Sequence, residues 1–214
     1  MARTFTLIRR FDDPECEELS RLGGLTHDLE RVLAYCKVLE SISPAPTLAD
    51  SDQKLHMWEV ITIGCIVQYA RCFASGVRRP LNIDFLADAP EEIKKNHEYF
   101  YGIRDKHIAH SVNYSEDNAV MVEFEMNGTV PQRVLHISTR SHRLIGIGDA
   151  EIPLLKELAQ WVFSKLKIEY QKEISRIERL TKEIPPADLL NLGIAPKSSF
   201  FQHTKLMKKS RKNQ

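Results

Sequence analysis

The chain has 214 residues, 43% hydrophobic and 28% charged, and its 30 basic and 29 acidic side chains leave a net charge of +1. This is the make-up of a cored protein, one large domain or a domain plus an extension. It excludes a membrane span, which needs ~20 apolar residues in a row; the best run, Val60 to Val67, holds eight. Arg3, Arg9 and Arg10 have no apolar segment behind them, so no secretory signal is read there and a cytoplasmic location is expected.

Asp13-Pro14 reads as the N-cap and first-turn proline of a first helix, and Gly23-Gly24 as its stop. Thr26 caps a second helix to about Ser43, with Leu29, Val32, Leu33, Cys36 and Leu39 at 3–4 spacing, and Pro44 and Pro46 end it. Asp50-x-x-Gln53 reads as a capping box opening a long helix, Leu55 to about Ala74, apolar on most faces and therefore central. Gly76 and Pro80 break that helix, a short helical turn is expected around Ile83 to Leu86, and Asp88-x-Pro90-Glu91 starts the next helix. Its acidic first turn suits the positive end of the helix dipole. From Ala119 to Met126 the period changes to two, Asn127-Gly128 is a preferred hairpin dipeptide, and Val130 to Ile137 returns as a partner strand with Pro131 at an edge position. Asp149 then caps a helix from Ala150 to about Ile184, roughly 50 Å long. Its second half narrows to a seam of Tyr170, Ile174, Ile177 and Ile184, expected to meet a partner such as a second copy. Pro185-Pro186 stops it. The expected organisation is a single helical domain over 1–186, with a β-hairpin at about 119–138, and a basic, flexible tail over 187–214.

The chemistry concentrates in one place. Arg104, Asp105, His107 and His110 fall within seven positions near the end of the helix that follows Pro90. Arginine presents a planar fork of donors matched to phosphate, and histidine moves protons near neutral pH. On one straight helix Arg104 and His110 stand about 120° apart, so the helix must end near Ile108, or a second chain must complete the site. Ala109 removes bulk beside His110, and Gly102 leaves room for another helix or a ligand. Trp58, Tyr69, Phe73 and Trp161 read as core residues, and His56 and His97 as structural or exposed. The four cysteines, Cys16, Cys36, Cys65 and Cys72, form no Cys-x-x-Cys pair and no zinc-spaced group, so they read as small buried residues. No metal and no cofactor is expected.

Arg104-Asp105-x-x-x-x-His110 resembles the signature of the HEPN domains (higher eukaryotes and prokaryotes nucleotide-binding), in which an arginine and a polar residue precede a histidine, with four to six residues between arginine and histidine. Here five intervene. The Arg-Asp-Lys-x-x-Ala-His wording is similar to HEPN proteins of bacterial abortive-infection systems. The likeness covers the helical order from about Thr26 to Ser111 and, more loosely, the last long helix. It implies a mainly α fold, a HEPN-like antiparallel helical bundle, to which this chain adds the inserted β-hairpin and the long C-terminal helix. It also implies a homodimer whose motifs face each other, and a metal-independent RNA endonuclease of toxin or antiviral type. In that scheme Arg104 binds the scissile phosphate, His110 assists proton transfer from the ribose 2′-hydroxyl, and Asp105 orients the pair; His107 has no fixed counterpart. An antitoxin or a nucleotidyltransferase is the further partner the resemblance implies.

Arg133, His136, Arg140, His142 and Arg143 cluster where no acid falls between Glu125 and Asp149, so this hairpin and loop are expected to line a groove for an RNA backbone. After Asp188 there is no acid, while six lysines and arginines follow, leaving the body 24 basic against 29 acidic groups, about −5. Such a tail either grips phosphates or keeps the chain soluble. Two readings of different class stand: the endonuclease, and a non-catalytic HEPN module that binds a nucleotide, nucleic acid or partner protein.

Overall fold

The computed structural model of the chain describes residues 9–11, 13–47, 49–76, 78–105, 117–142, 146–189 and 192–194. The elements are β1 (Arg9–Arg10), α1 (Glu17–Ile42), α2 (Asp52–Ala70), α3 (Glu91–Ile103), β2 (Asp117–Asn127), β3 (Val130–His142), α4 (Glu151–Glu183), α5 (Pro186–Leu189) and β4 (Gly193–Ile194). Short 3-10 turns cover Pro14–Cys16 and Ile83–Leu86. The chain is mainly helical with a small antiparallel hairpin, and no helix among the described residues is long and apolar enough to cross a membrane.

The chain forms two compact units. The first holds Met1–His27, Ser75–Pro80 and Phe163–Gln214. Within it β1 pairs antiparallel with β4, Arg9 opposite Ile194 and Arg10 opposite Gly193. Arg176 on α4 grips Glu15 through both its carboxylate (2.6 Å) and its carbonyl, and also holds Glu173. Glu18 accepts from Arg21 and from Arg79, 2.6 Å each, and these bonds hold its carboxyl below the usual range.

Several sequence expectations are corrected here. Gly23-Gly24 does not stop a helix, because α1 runs through both, and Thr26 does not cap but donates back to the Leu22 carbonyl at 2.8 Å. The reason is packing. A Cβ on Gly23 would meet the Tyr170 ring at 3.5 Å, and one on Gly24 would collide with the Arg78 guanidinium. The glycines cost helix propensity, roughly 1 kcal/mol each; a methyl at Gly23 would make ordinary contact with the ring, and one at Gly24 would oblige the Arg78 side chain to move. Of the seam expected to meet a partner, Ile177 is buried, and Tyr170 (which lies against Gly23), Ile174 and Ile184 are half-buried. The tail begins with regular structure, α5 and β4; residues 195–214, with Phe200-Phe201, lie outside the described residues.

The second unit, Asp28–Ala74 and Leu81–Val162, carries the main core. Leu29, Val32, Cys36 and Leu39 of α1 are fully buried, as are Cys65, Ile66 and Tyr69 of α2, Phe100 of α3 and Leu155, Leu158 and Val162 of α4. Each such side chain contributes about 1.5–3 kcal/mol on removal from water. The cap of α2 is Ser51, which accepts from the Lys54 amide, while Asp50 turns back to Thr47 and to the Lys54 ammonium, so the expected Asp50–Gln53 box does not form. Asp149 likewise bonds Ser43 and the Ala45 amide rather than the helix it precedes. Trp58 donates to the Ile147 carbonyl at 2.9 Å, and Gly146, at φ +137°, presses so close to Thr62 that a Cβ would overlap it.

The hairpin is longer than expected, Asp117–Asn127 against Val130–His142. Gly128 and Thr129 form its turn, with φ +59° at Gly128 alone, the sign pattern of a II′ turn.

Candidate active site at the end of α3

Ile93, His97 and Phe100 recur at i, i+4, i+7 and form the buried stripe of α3. The next position on that stripe is Arg104, where the helix ends: its amide still bonds the Phe100 and Tyr101 carbonyls, and the backbone widens into a π-type turn over 104–105. Such turns reposition side chains and recur at functional sites. Arg104 is one-third exposed and donates through Nη1 to Asp105 Oδ1 at 3.0 Å. The other guanidinium donors have no partner among the described residues.

A second face of α3, Glu98, Tyr101, Gly102 and Asp105, at 3–4 spacing, lines an open cavity of about 460 Å³. Phe73, Leu81, Ile83 and His97 complete it. Its aromatic wall is built by contacts: the Phe73 and His97 rings stand edge to face with centroids 4.6 Å apart, and His97 stacks on Tyr101 at 5.5 Å. Behind the wall the Tyr69 hydroxyl bonds His97 Nδ1 at 2.8 Å, with both residues buried. Burial lowers the His97 pKa, so the neutral imidazole is favoured, and raises the tyrosine well above its usual range. Flat rings offer a stacking surface, and the Glu98 and Asp105 carboxylates at the cavity are hydrogen-bond acceptors.

The structure pairs Arg104 with Asp105, and Asp105 lines this cavity. His107, His110 and Ala109 lie outside the described residues, as does Arg143. Gly102, expected to admit a neighbouring helix or a ligand, faces open space: a Cβ there would meet nothing within 4 Å. In the hairpin Arg133 pairs with Glu125, Nε to Oε2 2.5 Å, and His136 stands opposite Glu123, so these basic groups share their face with two acids. Arg140 stands opposite Ala119 in register and His142 opposite Asp117. No group of three His, Cys, Asp or Glu side chains suited to a metal is found among the described residues. From the sequence Phe73 reads as core and His97 as structural or exposed, whereas in the structure both wall a cavity. The available signal was two aromatic pairs at i, i+4, Tyr69 at the end of α2 with Phe73 just beyond it, and His97/Tyr101 on α3.

Comparison with protein-family models, with curated proteins and with solved structures returned no match.

Proposed function

We propose that the chain is a HEPN-type, metal-independent RNA endonuclease acting as a homodimer. The observation that supports this reading is the Arg104-Asp105 pair at the end of α3, partly open to solvent, whose Asp105 lines an aromatic-walled cavity of about 460 Å³. Arg104 would hold the scissile phosphate with its guanidinium fork and offset the charge that grows on phosphorus oxygens in the transition state. His110 would take the proton of the ribose 2′-hydroxyl, whose oxygen then attacks the adjacent phosphorus. The 5′-oxygen leaves with a proton, giving a 2′,3′-cyclic phosphate and a 5′-hydroxyl. Asp105, already bonded to Arg104, fixes the guanidinium plane. A base next to the cut would stack against Tyr101 and Phe73. A role as a toxin or antiviral effector belongs to the same reading.

The test is cleavage of single-stranded RNA by the purified chain, with and without a chelator. Arg104→Ala and His110→Ala should each abolish cleavage with circular dichroism unchanged, and the chelator should have no effect. RNA cut equally well by both variants refutes the assignment. RNA bound but never cut moves the chain to the non-catalytic module.

A further inference from the structure

β2 alternates so that Val120, Val122, Phe124 and Met126 share one face, and the register sets Thr139, Ile137, Val134 and Pro131 opposite them. Val134 and Ile137 are three positions apart and would point to opposite faces of a regular strand. A bulge between Glu123 and Phe124 leaves Leu135 unopposed and returns both residues to the apolar side. Six large apolar side chains thus lie together, at exposures from 41% for Val122 to 67% for Val120. The opposite face carries Glu123, Glu125, Arg133 and His136. Among the described residues neither strand pairs with a third. A lone two-stranded hairpin is marginal in water, and this one holds a six-residue apolar surface that nothing described covers, while Met121, 43% exposed, sits among the charged residues of the other face.

We propose that this face packs against the same face of a second copy of the chain across a twofold axis, as two hairpins layered into a small sandwich. Three features select that occupant. No charged residue interrupts the patch, which gives RNA or an acidic peptide nothing to recognise. An apolar face is its own complement, so an isologous contact needs no second surface. The six side chains expose on the order of 600 Å² per copy, close to the ~800 Å² per partner of a standard interface and at the upper limit of what monomers leave bare. The oxygen and nitrogen atoms of the charged face then remain in water, with the Arg133–Glu125 pair at the outside. The proposal makes this face the contact of the homodimer named in the nuclease reading, and it holds equally for a chain that never cuts RNA.

The test is the mass of the full chain in solution, without RNA, by light scattering and sedimentation velocity. The expected result is a dimer of the 24.6 kDa chain. Phe124→Glu should give a monomer with unchanged helical circular dichroism, while Glu123→Lys, on the hydrated face, should leave the dimer intact. Since Phe124→Glu could disturb the hairpin itself, a second variant keeps the face apolar. Val122→Cys, with oxidised glutathione as electron acceptor, should cross-link to its own copy, and Glu123→Cys should not. A monomeric wild type overturns the proposal, as does a dimer that survives Phe124→Glu. A monomer that dimerises only when 195–214 are removed overturns it in favour of that segment as the occupant.

Discussion

Replacing Gly102 by alanine separates stability from function at the candidate site. Gly102 lies one residue from the end of α3, and an added Cβ meets nothing within 4 Å. In a helix interior the exchange is worth about 1 kcal/mol; in the last turn about half of that remains. For a chain of this size about 0.5 kcal/mol corresponds to a rise in Tm of roughly 1–2 °C. The same methyl projects where Gly102 lines the cavity. If RNA enters there, overpacking costs roughly 1–3 kcal/mol in the bound state, so cleavage should fall about tenfold or more. Thermal melting followed by circular dichroism reads the first effect, and single-turnover cleavage the second. Loss of cleavage together with a higher Tm cannot come from unfolding. A lowered Tm refutes the account of Gly102 as facing free space. A raised Tm with undiminished cleavage refutes the placement of substrate at this cavity.

The buried His97 makes stability depend on pH in a fixed direction. Burial holds its folded pKa below the ordinary 6.5, so between those two values the unfolded chain binds the extra proton. Stability should be flat above neutrality and fall as pH drops through 6.5 toward the folded pKa. In urea melts across pH 5 to 7, His97→Gln should flatten that slope relative to wild type, and an unchanged slope would show that His97 is not the group responsible. Gly146→Ala should destabilise by about 2 kcal/mol or more, from a φ of +137° and overlap with Thr62. Gly76→Ala, with open space and no positive φ, is the control; equal melting of the two variants would refute the packing argument.

What was legible in the sequence is what depends on near neighbours. The apolar spacing of Leu29, Val32, Cys36 and Leu39 announces a helix, and the helix is there with all four buried. The change of period at 119 and the Asn127-Gly128 dipeptide announce the hairpin. What failed depends on residues distant in sequence. Gly23-Gly24 looks like a stop until Tyr170 and Arg78 are seen to fill the space above it. Cys36 and Cys65 gave no pairing signal, yet their sulfurs lie 3.7 Å apart because α1 and α2 each bring a thiol to the core. The β3 face could not be read because Val134 and Ile137 violate simple alternation, and only the bulge reconciles them.

The same division explains the site. Arg104-Asp105 was visible as a motif because its meaning is local: two adjacent side chains, joined by one hydrogen bond. That bond does not compete seriously with a substrate. A solvent-facing pair of this kind is worth about 1 kcal/mol or less, and it uses one guanidinium edge, whereas a phosphodiester can take the remaining donors in bidentate fashion. What the motif could not announce is the floor beside it, since Phe73 comes from the segment after α2 and His97 and Tyr101 from α3, and they meet only when those elements pack. Under the proposed function the arginine would set where a phosphate sits, and the aromatic wall what is attached to it. Catalysis and base preference would then be separable, and a Tyr101→Leu chain should keep its dependence on Arg104 while losing discrimination between nucleobases.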